Sequence, residues 1–334
     1  MKNRMCKAMV AALLMGVMLL TGCGINKNAT LVTADGNDKI SLGYGTFVAK
    51  YTQSMYDSIY LGYMGEQMWS QEQDGTTMEN MVKQNVLDMM QEMYLLRTHA
   101  DEYDVKISEK EQKAITKAAK QFIKDNSKKT LEEMCATQEI VEEYLTDQTY
   151  MSKVTDAIKK SAEVSVKDED AAQRGISYVV FSVADTTDEN GETVVMTDEE
   201  KAEQKAKAKK VAGAEDFEAT AQEAGVEVET TSYGKDDTDL PEKVRKAADA
   251  LKEGEVTTAI GVKDDGYYVV RLDKELDEEA TADKKESLEE EQRSEYYDSV
   301  LEGWKKDATW KVDKKQWKKV KFDALFEAPK KTED

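Results

Sequence analysis

One histidine, His99, serves all 334 residues of the chain, and that scarcity removes several chemistries at once. A zinc site built on imidazoles needs more than one histidine. No Ser/His/Asp arrangement, Gly-rich phosphate loop or metal-ligand constellation is visible, so no metal and no cofactor are expected. Basic residues are also in deficit: 47 Lys and Arg stand against 68 Asp and Glu, a formal net charge of -21. Such a surface repels a phosphate backbone, which argues against nucleic acid as a partner. What is present suffices for folding, since hydrophobic residues make up 40% of the chain, enough for the cores of two or three domains.

Residues 1–22 read as a signal peptide. Lys2, Arg4 and Lys7 give it a positive start, and AMVAALLMGVMLL follows as an apolar run too short for a comfortable membrane span. The run ends in Leu20-Thr21-Gly22-Cys23, which resembles the lipobox of bacterial lipoproteins. That resemblance implies that Cys23 is acylated on its thiol and becomes the first mature residue, with the multiple acyl chains that stable anchoring requires. The expected location is extracytoplasmic, with a lipid anchor in the bacterial cell membrane. Removing Cys6 with the leader and lipidating Cys23 leaves only Cys135, so no intramolecular disulfide can form. Cys135 lies near apolar helix positions in KTLEEMCATQEIVEEYL and reads as a small buried hydrophobe.

Along the mature chain, a strand pair around Asp35-Gly36 should lead into a helix from about Gly45. Met78, Met81, Val82, Val86, Met89, Met93, Leu96 and Ala100 recur at three- and four-residue steps and mark the apolar face of a long helix. Ser108-x-x-Glu111 and Thr130-x-x-Glu133 carry the capping-box pattern and open further helices, with another from Glu139 to Ala162. From Ile176 the pattern changes to strand, two helices (the first capped by Thr197-x-x-Glu200), strand, helix through PEKVRKAADALKEGE, and a closing hairpin. In that hairpin, Asp265-Gly266 is the expected turn and DGYYVVRL the last strand, with Tyr268, Val270 and Leu272 on one face. Ser287-x-x-Glu290 should open the final helix. Between Lys305 and Lys321, eight lysines against two aspartates form the one basic patch. It reads as a solvated amphipathic strand and loop, or as a surface for anionic lipid or wall polymer.

These segments resemble known families. ISYVVF, EDFEATAQEAG and ALKEGEVTTAIGVKDDGYYVVRL, in that order, are similar to the first strand, a helix and the end of a parvulin-type peptidyl-prolyl isomerase domain. VTADGNDKISLGYGTFVAKY and VLDMMQEMYLLRTHADEYDVKISEKEQKAI are similar to the chaperone domain of PrsA- and SurA-type foldases. The resemblance implies an α+β chain in four parts: signal peptide 1–22, mainly helical chaperone domain 23–164, inserted parvulin-like α+β domain 165–276, and a segment 277–334 returning to the chaperone domain. It also implies a site of two histidines, an acidic residue and an apolar shelf. In this sequence Tyr178 takes the place of the first histidine and Tyr268 that of the second. Asp249 takes that of a pocket phenylalanine, and Glu229 falls near the acidic position.

Three functions are compatible with these features. The first is a chaperone-foldase that holds unfolded, newly exported polypeptides. Its candidate client surface is Tyr51, Tyr56, Tyr60, Tyr63 and Trp69, whose polar-tipped rings tolerate water. The methionines at 55, 64, 68, 78, 81, 89, 90 and 93 read either as adaptable contacts or as plain core. The second is an active prolyl isomerase in which Tyr178 and Tyr268 form a hydrogen-bonded pair, since a phenol both donates and accepts. The third, a solute-binding lipoprotein, would need two α/β lobes that the helical first half does not offer. Association of two copies through the helical domains is left open.

Overall fold

The computed structural model describes residues 16–17, 25–187 and 191–327. Cys23, and the signal peptide apart from Gly16–Val17, lie outside the described residues. The chain divides into two compact units. One joins Met1–Ala162 to Ser294–Asp334, and the other is Glu163–Arg293. It is therefore an α+β chain in which a mixed unit is inserted into a mainly helical one.

The helical unit begins with strands β1 (Thr30–Ala34) and β2 (Asp38–Ser41), paired antiparallel across a tight turn. Helix α1 (Leu42–Met64) starts earlier than Gly45 because Ser41 caps it, its Oγ accepting the Tyr44 N–H at 3.1 Å. Helix α2 (Met78–Thr98) buries Val82, Val86, Met93 and Leu96 of the expected stripe, but Met90 takes the core place expected of Met89, which is half-buried, and Met81 is exposed. Helix α3 (Glu109–Asp125) carries the full Ser108/Glu111 capping box. The next start differs from expectation. Helix α4 (Lys128–Glu133) is capped by Ser127, and Thr130 is a buried residue inside it, because Ser127 already satisfies the orphan Thr130 N–H at 3.1 Å. Helix α5 (Gln138–Ser161), capped by Thr137, follows.

The second unit reads β3 (Arg174–Ser182), α6 (Asp198–Ala212), α7 (Phe217–Glu223), β4 (Glu229–Tyr233), α8 (Glu242–Asp249), β5 (Ile260–Val262) and β6 (Gly266–Lys274). This is the β-α-α-β-α-β-β order expected. The four strands form one antiparallel sheet, ordered β5-β6-β3-β4. Period-two alternation sends Val179, Phe181 and Val269 to the face covered by α6 and α7, and Ile176, Tyr268, Val270 and Leu272 to the face covered by α8. Helix α8 stops at Asp249 instead of running to Glu255, because the following backbone pairs with β6. Gly254 N–H donates to Leu272 O at 2.7 Å and Thr257 N–H to Val270 O at 2.8 Å.

The hairpin turn also differs from expectation. Val262 pairs with Gly266 inside the ladder, so the loop is Lys263-Asp264-Asp265, with Asp264 left-handed at φ 60°. Gly266 serves a close approach: a Cβ there would lie 2.5 Å from the Phe181 carbonyl oxygen of β3. Helix α9 (Glu278–Asp307) runs straight through Ser287, which is no cap. The EEATADKKES stretch holds neither glycine nor proline to delay the start.

In the C-terminal return to the helical unit, β7 (Trp310–Val312) pairs antiparallel with β1, and the short helix α10 (Lys314–Trp317) follows. The lysine-rich tail thus presents its lysines around an apolar skeleton: Trp317, Val320, Phe322 and Phe326 are all buried in the same cluster as Phe47, Val48 and Trp69. Polar clamps hold it there. Lys83 Nζ donates to Val320 O at 2.6 Å and Gln53 Nε2 to Ala324 O at 2.7 Å. Among the described residues no helix is long and apolar enough to cross a membrane.

Candidate functional site

Tyr178 and Tyr268, two of the residues the resemblance points to, lie on the α8-covered face of the sheet. Strands β3 and β6 are neighbours, with Val270 opposite Tyr178 and Tyr268 opposite Val180. That register places the two tyrosines diagonally on one face, within reach of each other. Their ring centroids lie 6.4 Å apart with planes inclined by 20°. Tyr268 is buried, at 8% exposure, beside Ile260, Val270 and Leu272, and Tyr178 is half-buried at the edge of the same cluster.

Each hydroxyl goes to a carboxylate of its own. Tyr178 stands directly opposite Glu229 of β4 and donates to Glu229 Oε2 at 2.6 Å. Tyr268 donates to Asp265 Oδ2, in the hairpin loop, at 2.7 Å. Burial first, and the Glu229 carboxylate second, push the Tyr178 phenol up to about 12. Burial followed by Asp265 raises Tyr268 as well. Both rings are therefore neutral at physiological pH, and the one proton each can donate is committed. The two tyrosines thus belong to two separate phenol–carboxylate pairs.

Of the predicted site residues, Tyr178, Tyr268 and Glu229 come together in this way. Asp249 instead ends α8 and accepts the Tyr233 hydroxyl at 2.8 Å. Arg174 fixes that corner, donating to Asp249 O and Leu251 O, both at 2.8 Å. Sequence reasoning missed Asp265 and Tyr233. Asp265 was read only as a turn residue, though its place three residues before Tyr268 in a loop left its side chain free to reach back.

The candidate client surface is corrected in part. Trp69, expected to be exposed, is 4% exposed, edge-on to Phe322 at 4.6 Å and donating its indole N–H to Asp57 Oδ1 at 2.8 Å. Tyr51 is half-buried, 6.0 Å from Phe47 and 5.4 Å from Tyr144, and burial raises its phenol. Tyr56 is half-buried against Trp69. Tyr60 and Tyr63 are exposed, Tyr63 at 89%. The methionines split the same way: Met68, Met90 and Met93 are core, Met78 and Met89 pack against it, and Met55, Met64 and Met81 are exposed.

Cys135 and His99 belong to the helical unit. Cys135 is buried, and burial raises its thiol. His99 stacks on Trp304 at 4.1 Å, with its Nδ1 2.6 Å from Glu102. Among the described residues no group of three or more His, Cys, Asp or Glu could hold a metal ion.

Comparison with known proteins agrees with the sheet's assignment. The family described as PPIC-type PPIASE domain matches residues 183–283, which takes in Glu229, Asp249 and Tyr268 and leaves Tyr178 just outside. Foldase protein PrsA of Clostridium botulinum (strain Langeland, type F) is 24% identical over 262 residues, 72% of this chain and 76% of that protein. PrsA of the Loch Maree strain is 24% identical over 270 residues, 75% of this chain and 79% of that protein. Among solved structures, the PrsA foldase of Lactococcus lactis aligns over 87% of this chain and 97% of its own, with 17% identity and a TM-score of 0.35. The PrsA peptidylprolyl isomerase of Bacillus cereus covers 88% and 98%, with 18% identity and a TM-score of 0.32. Residues 183–283 thus match the PPIC-type PPIASE domain family, and the chain is similar in sequence to PrsA foldase proteins.

Proposed function

We propose that this protein is an extracytoplasmic foldase, anchored to the cell membrane through a lipidated Cys23. In this reading it assists exported polypeptides after translocation chiefly by holding them, and its parvulin-like domain, residues 165–276, has a degenerate isomerase site. One observation supports the degeneracy most: the Tyr178 and Tyr268 hydroxyls are each spent on a neighbouring carboxylate. Catalysis of prolyl isomerisation must lower a barrier of roughly 18–20 kcal/mol by binding the proline in an apolar pocket and easing twist about the imide. Two neutral phenols with committed protons offer little toward that, and Tyr268 fills part of the apolar face itself.

The holding role is tested by suppression of aggregation of a chemically unfolded protein. The expected result is suppression at near-stoichiometric ratios, and no effect at several-fold excess removes the reading. Palmitate labelling that depends on Cys23, lost in Cys23→Ala, tests the anchor. A second reading, an active isomerase, draws on the placement of Tyr178 and Tyr268 on one face of the sheet with ring centroids 6.4 Å apart. A protease-coupled peptide assay separates the two.

A further inference from the structure

Helix α1 is buried over its first part and bare over its last. Its buried residues run from Leu42 to Asp57. Beyond them lie Ile59 at 58%, Tyr60 at 41%, Tyr63 at 89% and Met64 at 37% exposure, with Met55 at 43% just before. At 100° per residue, Met55, Ile59 and Tyr63 share one stripe. Met64 then lines a hollow with Met78, Met81 and the hairpin Glu72–Gln73/Thr76–Thr77. An apolar face of this kind on an otherwise acidic, highly charged protein marks an interaction surface.

The charge around this face selects its occupant. From Tyr51 to Val82 the chain contains no lysine or arginine, while Glu66, Glu72 and Asp74 are exposed beside the apolar row. Lys83 and Lys321, at the margin, are both drawn onto Glu79, at 3.3 Å and 3.8 Å. The surface is thus apolar in the middle and anionic at the rim. A second copy would bring the same carboxylates against each other, and an anionic bilayer would repel them. A polypeptide whose apolar side chains are flanked by lysine or arginine satisfies both parts.

We infer that the exposed end of α1 and the adjoining Glu72–Thr77 hairpin form a docking surface for extended polypeptide segments in which apolar residues are bordered by basic ones. Apolar contact supplies affinity, methionine and tyrosine adapt to varied side chains, and the acidic rim supplies selectivity and speed of encounter. This inference rests on the holding role and names its substrate class.

The test uses the full-length protein and three labelled peptides: a Leu-Phe-Leu centre flanked by lysines, the same centre flanked by glutamates, and the lysine flanks around a serine centre. Fluorescence anisotropy should show the first binding about tenfold or more tighter than either of the others, with the preference over the glutamate peptide shrinking as salt is raised. Ile59→Ser/Tyr63→Ser should weaken it by about tenfold, and Leu276→Ser, an exposed apolar residue of the second unit, should not. Glu66→Lys/Glu72→Lys should invert the preference between lysine and glutamate flanks. These are exposed positions, and circular dichroism confirms that each variant is folded.

Equal binding of the lysine and glutamate peptides overturns the inference, as does undiminished binding in Ile59→Ser/Tyr63→Ser. So does a dimer, or adsorption to phosphatidylglycerol vesicles, that this double variant abolishes. Aggregation suppression is measured in parallel. If wild type suppresses and the double variant suppresses equally, the holding role stands and this surface is not its seat; if wild type does not suppress, the holding role itself falls.

Discussion

Glu229 stands directly opposite Tyr178 across the β3–β4 ladder, and its Oε2 accepts a hydrogen bond from the phenol at 2.6 Å. Because burial and then this carboxylate hold the phenol at about 12, the folded state keeps the proton more tightly than the unfolded chain, where tyrosine loses it near 10. The stabilisation is complete below about 10 and is lost as pH rises toward 12. Tyr178→Phe should remove one component from the high-pH phenolate titration followed by absorbance. Glu229→Gln should move that component downward without restoring the ordinary value, since burial remains.

The isomerase domain is expected to catalyse poorly. With several residue types preceding proline, the protease-coupled rate should match that in buffer. Tyr268→His alone should leave it unchanged, because the second imidazole and a free donor are still missing. A rate above buffer that drops in Tyr178→Phe would establish that the phenol works.

Asp57 gathers three donors inside the helical unit: Trp69 Nε1 at 2.8 Å, Gln53 Nε2 at 3.2 Å and the Phe326 N–H at 3.0 Å. Asp57→Ala leaves the Trp69 indole N–H and the Phe326 N–H buried without a partner, while Gln53 Nε2 keeps its bond to Ala324 O, and should cost about 2–4 kcal/mol. Asp57→Asn, which keeps one acceptor oxygen, should cost less. Denaturant unfolding followed by tryptophan fluorescence measures both, since Trp69 itself reports on the network.

Gly266→Ala places a methyl 2.5 Å from the Phe181 carbonyl oxygen, and backbone cannot yield as a side-chain tip can. The expected loss is roughly 1–3 kcal/mol. All four tryptophans, Trp69, Trp304, Trp310 and Trp317, belong to the helical unit. The variant should therefore shift unfolding followed by circular dichroism while leaving the fluorescence transition in place. A shift in both would show that the two units unfold together.

Glu111 is held at about 2 by the Ser108 backbone N–H first, then by Lys153 and the Ser108 hydroxyl. Its folded value is depressed, so the stabilisation is present above about 4.3 and is lost as pH falls toward 2. The side chain is 38% exposed, and solvent screening keeps the effect small. Glu111→Gln should flatten stability over that acid range relative to wild type. Glu111→Ala, which also loses the capping box, should cost about 0.5–1 kcal/mol at neutral pH.

Helix starts were legible where a cap and its partner lie within four residues, as at Ser108 and Thr197, both of which form complete boxes. The same pattern misled at Thr130 and Ser287. At Thr130 the neighbouring Ser127 takes the cap, and at Ser287 the helix has already begun. A pattern of side chains names a candidate cap, but competition along the backbone chooses among candidates.

The amino-acid order alone settled the β-α-α-β-α-β-β succession of the second unit and the face that Tyr268 shares with Val270 and Leu272, because alternation and capping act over a few residues. Only the tertiary structure decided that Trp69 is core, since Phe322, which packs edge-on to it, and Phe326, which donates to the Asp57 that also binds Trp69, come from chain more than two hundred residues further on. Only it decided that Tyr178 serves Glu229, 51 residues further on. Hydrogen-bond partners at long sequence separation are fixed by strand register and loop closure, and a buried phenol takes whichever acceptor that register brings within reach.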